Sequence, residues 1–331
     1  MGRVAGIAKW LLGASIALAA ASVPAQQSYR PPEHTQPPPF YSAITAEQAA
    51  YLADLGLSSE RDRTAKWQLA EHRRIDRALA GLQPQRKGVV DAYIVSVALD
   101  SDPVFGREAR EAGKVLSRRY DAAGRTIVLA GSDGSAESNL PRGAPDTLAL
   151  VLARVAELID TKEDVLILYT TSHGGPMGIV YNDADSGYGM VSPQRLWSLL
   201  GALGIERRMI LVSACYSGIF IPLLSTDDSV VMTAASADRT SFGCQADSDW
   251  TFYGDALINH ALRKAQPIAI AAEEAARLVG EWEARGKVTP SLPQVSIGAR
   301  AGVWLAALDR RTPAMATTPI GKPAVSLLDQ P

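Results

Sequence analysis

Residues 165–175 read VLILYTTSHGG. An unbroken run of apolar and β-branched residues leads into a glycine-rich turn that carries His173. Runs without polar alternation are typical of strands that are buried on both faces of a parallel sheet. The stretch therefore predicts a central strand whose carboxyl end delivers a histidine.

Similar runs recur along the chain and alternate with segments of helical spacing. The other predicted strands are residues 92–99, 126–130, 209–214, 230–234 and 294–298. The predicted helices are residues 103–120, 145–158, 192–203, 217–224, 250–264 and 268–284. This alternation predicts an α/β fold with an open, mostly parallel sheet and helices on both faces. Sites in such sheets form where loops leave the carboxyl ends of the strands.

Two reactive side chains follow strands that we expect to be neighbours. His173 is the only histidine in a glycine-rich loop at a strand exit, and Cys215 follows the strand at residues 209–214. A cysteine nucleophile needs its thiolate, and imidazole is the side chain suited to exchange its proton near neutral pH. The pattern predicts Cys215 as nucleophile and His173 as acid/base, with the backbone N–H groups of Gly174 and Cys215 as an oxyanion hole. The helix after Cys215 is expected to add positive potential at the sulfur.

The residues alone leave other interpretations open. His173 and Cys215 each fit a purely structural role, and the fold also suits a non-catalytic binding or scaffold module. Ser217 is a further candidate nucleophile, although the residues before it lack the first glycine of a nucleophile elbow. Cys215 and Cys244 are the only 2 cysteines in the chain. A stable disulfide between them would mask the nucleophile, and a reversible redox lock is a third interpretation.

The termini and composition predict the organisation of the chain. Residues 1–25 read as a signal peptide, with basic residues, a short apolar run and a cleavage point after Ala25. An exported protein, periplasmic or secreted, without stable membrane insertion after cleavage is the expectation. A formal net charge of −2 argues against a nucleic-acid partner. The predicted segments are a Pro-rich linker (26–44), a helical N-terminal segment (45–88), the main domain (89–310) and a disordered tail (311–331).

The sequence resembles the peptidase C13 family, which includes legumain and the catalytic subunit of GPI transamidase, and which shares a signature with the caspases. That signature is an apolar run before His-Gly and a second apolar run before Ala-Cys. Its pieces here are residues 166–169 before His173-Gly174, residues 210–212 before Ala214-Cys215, and then residues 215–218, 235–237, 241–244 and 253–255. The resemblance covers roughly residues 89–298 and implies a caspase-like sheet and cysteine endopeptidase or transpeptidase chemistry without metal or cofactor.

The resemblance also implies which residues bind the peptide or protein substrate. Asp255 corresponds to an acidic residue of the legumain specificity pocket, and Ser241 lies in the segment whose backbone pairs with the bound peptide. Ser213 stands where legumain-like enzymes carry an acidic residue, which puts a preference for Asn at the cleavage site in doubt. Arg107 is the nearest candidate for the pocket arginine, and a solvated arginine at the start of a helix is the alternative.

Overall fold

The computed structural model describes residues 45–131 and 138–329. The predicted signal peptide and the whole of the predicted linker lie outside the described residues. The strands are β1 (Ser58–Glu60), β2 (Ala92–Ala98), β3 (Thr126–Leu129), β4 (Val165–Thr171), β5 (Gly174–Gly175), β6 (Gly178–Asp183), β7 (Gly187–Val191), β8 (Arg208–Ser213), β9 (Ser229–Thr233) and β10 (Gln294–Ile297). The α-helices are α1 (Ala46–Asp54), α2 (Ala65–Ala80), α3 (Pro103–Arg119), α4 (Pro145–Leu158), α5 (Pro193–Ala202), α6 (Ile221–Leu224), α7 (Phe252–Gly254), α8 (Ile268–Gly286) and α9 (Ala301–Asp309).

The large sheet has six strands in the order β10-β9-β8-β4-β2-β3. All neighbours pair in parallel except β10, which is antiparallel to β9. Thr171 of β4 pairs with Ser213 of β8, so these two strands end level with each other. His173 and Cys215 each lie two residues beyond that pair. The register therefore brings both to the same point on the carboxyl edge of the sheet.

Helices cover both faces of this sheet because its strands are apolar on both faces. Ile94, Ile167 and Leu211 pack on one face in a cluster with residues of α3, α8 and α9. Val95 and Leu168 pack on the opposite face with residues of α4 and α5. Side chains of a strand alternate between faces, so each central strand serves both clusters. The predicted open, mostly parallel sheet with helices on both faces is confirmed.

A second sheet of four strands, in the order β1-β7-β6-β5, extends from the loop that carries His173. The sequence prediction contains none of these strands. β5 directly follows His173, and β6 and β7 form a hairpin against it. β1 comes from the N-terminal segment and pairs antiparallel with β7. The N-terminal helical segment is thus joined to the sheet beside His173 by backbone pairing.

The two long helices of that segment begin where the sequence supplies side-chain caps. The Thr45 side chain accepts a hydrogen bond from the Gln48 N–H at the start of α1, and Gln48 reciprocates to the Thr45 backbone. The Thr64 side chain caps α2 through the Trp67 N–H. Such caps satisfy N–H groups that the first helical turn leaves free.

The structure differs from the sequence prediction at the tail, where residues 311–331 were expected to be disordered. A short 3₁₀ helix covers Ala324–Asp329, and Ala324 and Leu327 are buried. The backbone N–H of Ala324 donates to Asp255 at 2.7 Å, and Trp250 Nε1 donates to the Ile320 carbonyl at 2.9 Å. The tail is held in place by contacts with Trp250 and Asp255, which lie far away in the sequence. A tail held in this way needs no helical or strand periodicity of its own.

Within residues 45–131 and 138–329, no helix combines the length and the apolar character that a membrane crossing requires.

Candidate active site

His173 is held at the carboxyl edge by backbone bonds on both sides of the residue. The Ser172 N–H donates to the Ser213 carbonyl at 3.2 Å, and the Val180 N–H donates to the His173 carbonyl at 2.9 Å. The first bond continues the β4–β8 pairing, and the second ties His173 to the β6 hairpin. The imidazole is therefore carried by a rigid strand exit rather than by a free loop.

Gly174 occupies a position that no larger residue fits. A Cβ there would lie 2.1 Å from the Cys215 carbonyl oxygen, so the two backbones touch. Gly174 faces Ile179 across β5 and β6, while the adjacent Val180 bonds to His173. Hydrogen-bonded and non-hydrogen-bonded pairs alternate in an antiparallel ladder, so the Gly174 N–H points away from β6. This N–H is the one that the sequence predicts for an oxyanion hole.

Cys215 sits in a sharp turn between β8 and a short 3₁₀ helix at Ser217–Phe220. Tyr216 has a φ of 57°, in the left-handed region that side-chain-bearing residues rarely adopt. The expected helix start at the sulfur is only this 3₁₀ turn of 4 residues followed by α6, also of 4 residues. Such short helices supply little of the dipole that the sequence analysis expects.

Direct contacts set the environment of the Cys215 sulfur instead. The Ser241 N–H donates to Sγ at 3.2 Å, and the Ser241 side-chain oxygen lies 3.6 Å from Sγ. The pKa of Cys215 is lowered to about 6. The causes are first the Cys244 thiol, then the Ser241 N–H and hydroxyl and the positive charge of His173, which together outweigh burial. The surroundings thus favour the thiolate.

The His173 imidazole lies against residues that follow β2, none of which the sequence analysis selected. Nε2 lies 3.4 Å from Oδ2 of Asp102, and the Phe105 ring meets the imidazole edge to face at a centroid distance of 5.0 Å. Burial lowers the pKa of His173, but the hydrogen bond to Asp102 and the negative charges of Asp100, Asp102 and Cys215 outweigh it. The net effect is a raised pKa, which favours the imidazolium.

His173 and Cys215 therefore perturb each other in complementary directions. The charge of His173 lowers the pKa of Cys215, and the charge of Cys215 raises that of His173. Such mutual shifts require the two groups to lie close together. The arrangement is chemically competent for a thiolate–imidazolium pair, in which a nucleophile and a proton donor stand at one edge of the sheet.

The same carboxylates and imidazole offer donor atoms to a metal ion. One atom from each of Asp100, Asp102 and His173 lies within 4.8 Å of the others. The sequence predicts that no metal and no cofactor takes part, and this stays a prediction.

The substrate-binding candidates occupy different places in the structure. Ser213 is buried directly before the Cys215 turn, and its hydroxyl lies 3.1 Å from that of Thr251. Ser241 contacts the sulfur itself. The structure thus brings these two serines to the Cys215 turn.

Asp255 and Arg107 form hydrogen bonds with other parts of the chain. Asp255 is fully buried and accepts hydrogen bonds from Asn259 Nδ2 and the Ala324 N–H, both at 2.7 Å. Arg107 donates to the carbonyls of Ala246 and Ser248, so it braces the loop after Cys244. These contacts hold the fold together, and the place of both residues in a specificity pocket stays a prediction.

Glu108 is a buried carboxyl group that the sequence analysis missed. It accepts hydrogen bonds from the hydroxyls of Tyr169 and Thr171 and from both the N–H and the hydroxyl of Thr251. Its charge also raises the pKa of the Cys244 thiol, so it lies near the cysteine pair. The signal for Glu108 in the sequence was weak, because its helix reads as amphipathic and Glu is common on such helices.

Ser217, the alternative nucleophile, is tied into the fold. Its hydroxyl accepts a hydrogen bond from the Ala235 N–H at 3.1 Å and lies 3.5 Å from the Ala235 carbonyl. Ser217 is also buried. These contacts give the hydroxyl a structural role at the end of β9.

Part of the chain is similar to a known protein family. Residues 146–279 match the model of the Peptidase C13 family. The C13 match spans α4 to most of α8 and includes His173, Cys215 and Ser241. It confirms the resemblance seen in the sequence over these residues and supports a cysteine-peptidase type of function.

The comparisons with solved structures and with curated proteins give weaker results than the match to the family model. Among solved structures, the chain is similar to caspase-1 from Spodoptera frugiperda, with 14% sequence identity and a TM-score of 0.41. That similarity covers 65% of this chain and 88% of the caspase chain. No curated protein matches the chain.

Proposed function

We propose that this protein is a cysteine endopeptidase in which Cys215 attacks a peptide carbonyl and His173 exchanges the proton. The observation that carries the proposal is the register of β4 and β8, which brings His173 and Cys215 to one edge of the sheet, and the complementary pKa shifts of the two groups support it. A pKa of about 6 makes Cys215 a thiolate at neutral pH, and the raised pKa of His173 keeps a proton ready for the leaving amine.

The first chemical step forms an acyl-enzyme. The Cys215 thiolate adds to the carbonyl carbon, and the negative charge moves to the carbonyl oxygen. The Gly174 N–H, which points away from β6, and the Cys215 N–H are the donors proposed for that oxyanion. His173 then gives its proton to the amine as the C–N bond breaks. In the second step His173 removes a proton from water, which attacks the thioester and releases Cys215.

The substrate is proposed to lie along the segment that contains Ser241. The resemblance assigns the backbone of this segment to the bound peptide, and the Ser241 N–H already lies 3.2 Å from the sulfur. A peptide strand beside Ser241 would bring its carbonyl carbon to Cys215. The proposed partners of the protein are peptide or protein substrates.

A non-catalytic binding module is the weaker alternative. Such a module has no need for a thiol with a pKa near 6 beside an imidazole with a raised pKa. Perturbed titratable groups that converge at a strand edge are typical of catalytic sites.

The test is peptide cleavage together with labelling by a thiol-reactive peptide probe. We expect Cys215→Ala to abolish both, and His173→Ala to reduce turnover at least about a hundredfold while the fold is retained. His72→Ala is the matched control, because His72 is exposed on α2 and pairs with Asp76, one turn along the same helix. Cleavage by His173→Ala at the rate of the His72→Ala control would exclude His173 from the mechanism.

The protein is also proposed to act outside the cytoplasm after cleavage following Ala25. The basic residues and apolar run of residues 1–25 support this. N-terminal sequencing of the protein recovered from an export-competent host tests it, and a mature chain that still begins at Met1 would exclude signal removal.

A further inference from the structure

Cys244 lies beside the candidate active site although it has no part in the proposed mechanism. It packs against a cluster that contains Val104, Phe105 and Ala130, and Phe105 is the ring that contacts His173. Both Cys215 and Cys244 are free thiols, and both are partly exposed. Cys244 therefore packs against the cluster that supplies the aromatic contact of His173.

The backbone confines Cys244 to the neighbourhood of the Cys215 sulfur. The Ser241 N–H is bonded to that sulfur, and Cys244 follows Ser241 by only three residues. Three residues span at most about 11 Å even when extended. The chain is not extended here, because Gly243 between them has a φ of 91° and the Phe252 N–H holds the Phe242 carbonyl.

The pKa shifts of the two thiols agree with this proximity. The Cys244 thiol is the largest influence that lowers the pKa of Cys215, and Cys215 is in turn the largest influence that raises the pKa of Cys244. In each case the first cause is hydrogen bonding between the two thiols. It makes Cys215 the thiolate of the pair and Cys244 the thiol.

We propose that Cys244 is a resolving thiol, which closes a reversible disulfide with Cys215 after a hydroperoxide has oxidised Cys215. The redox proposal depends on the proposed function in one respect: the disulfide would stop peptidase activity. The chemistry itself needs only the Cys215 thiolate and a neighbouring thiol.

The reaction proceeds in two balanced steps. The Cys215 thiolate attacks the hydroperoxide, an S–O bond forms, the O–O bond breaks, and the sulfur loses two electrons to the peroxide, which leaves as alkoxide or hydroxide. The Cys244 sulfur then attacks the sulfenic sulfur of Cys215. An S–S bond forms, the S–O bond breaks, and the departing hydroxide takes the Cys244 proton to become water.

Oxidation of Cys215 itself prepares Cys244 for the second step. The negative Cys215 thiolate disfavours ionisation of Cys244. Conversion of that thiolate to a neutral sulfenic acid removes the charge, so the Cys244 proton becomes easier to lose. The same step is quick only when the resolving thiol is adjacent, and it prevents further oxidation of Cys215 to the irreversible sulfinic acid.

The experiment uses the full chain, reduced, desalted and treated with about a fivefold molar excess of hydrogen peroxide, because the sulfinic acid requires two equivalents and the disulfide only one. We expect both free thiols to be lost together, a Cys215–Cys244 disulfide in non-reducing peptide mapping, and nearly complete recovery of thiol-probe labelling after dithiothreitol. In Cys244→Ser, the same treatment is expected to leave Cys215 as sulfinic acid, with recovery reduced about tenfold. Cys215→Ser, the control, is expected to keep its Cys244 thiol under the same peroxide.

Peptide mapping of the unmutated chain decides the question even where a variant does not fold. A Cys215 sulfenic or sulfinic acid beside an unmodified Cys244, or a disulfide only between two chains, would overturn the proposal. Failure of the reduced chain to cleave any peptide would overturn the proposed function alone, because thiol counting requires no substrate.

Discussion

Nε2 of His173 lies 3.4 Å from Oδ2 of Asp102, and the Asp102 side chain is only 3% exposed. One ring nitrogen is thereby held by a carboxylate, which leaves Nδ1 to exchange a proton. The carboxylate also stabilises the imidazolium that forms when the thiol loses its proton. Asp102 is therefore a positioning residue for His173 in the proposed mechanism. It lies after β2, directly before α3, rather than after either strand that carries the reactive pair.

Replacement of Asp102 by Asn is expected to lower kcat about a hundredfold and to move the alkaline limb of the pH–rate profile to lower pH. Burial alone lowers the pKa of His173, and the hydrogen bond and charge of Asp102 oppose that effect. Glu281→Gln removes an exposed carboxylate on α8 and is the control. A lower rate with an unchanged alkaline limb would mean that Asp102 acts only on stability.

The pH–rate profile of the unmutated chain is expected to be bell-shaped. Activity rises as Cys215 loses its proton near pH 6 and falls as His173 loses its proton above its raised pKa. The active ion pair is therefore populated between these two values. Cys244→Ser replaces the thiol that most lowers the pKa of Cys215, so its acid limb is expected at higher pH. The pH dependence of alkylation by iodoacetamide measures the same shift without a substrate, and an unmoved limb would contradict the coupling of the sulfurs.

Glu108→Gln is expected to lower the free energy of unfolding by about 2–4 kcal/mol. The carboxyl group is fully buried and accepts four hydrogen bonds, and an amide nitrogen in place of one oxygen would face donors with another donor. Chemical denaturation measures the change. Glu157→Gln, on the exposed side of α4, is the control and is expected to stay within about 0.5 kcal/mol. If Glu108→Gln and Glu157→Gln were equally stable, the hydrogen bonds of Glu108 would not stabilise the fold as argued.

The sequence predicts the central architecture and the pair of reactive side chains because both depend on local patterns. Apolar runs define β4 and β8, and the parallel register then brings His173 and Cys215 to one edge. The rule that sites follow strand ends also applies to β2, and it would have selected Asp100 and Asp102 had it been applied there. Their contact with His173 was predictable in principle.

The contacts of Asp255 and Arg107 were not predictable, because they join distant parts of the chain. Asp255 accepts from Ala324, 69 residues away, and Arg107 donates to Ser248, 141 residues away. Their roles depend on where the tail and the loop after Cys244 fold, which no local pattern encodes. The small sheet was missed for a similar reason, since β1 lies in a segment that otherwise reads as helical.

The N-terminal segment is expected to be part of the folded domain rather than a removable inhibitor. Arg142 donates to Glu60 of β1 at 2.5 Å and to the buried Tyr181 hydroxyl of β6, so it joins this segment to the sheet beside His173. Arg142→Met leaves Glu60 and Tyr181 without that donor, and we expect it to lower the free energy of unfolding by about 2–3 kcal/mol. Arg154→Met, a partly exposed arginine on α4, is the control and is expected to change stability by less than about 0.5 kcal/mol. A chain that begins after β1 is expected to lose both stability and peptidase activity, because β7 loses its partner strand. If that shortened chain melted at the original temperature and cleaved peptides faster, the segment would be an inhibitory propeptide after all.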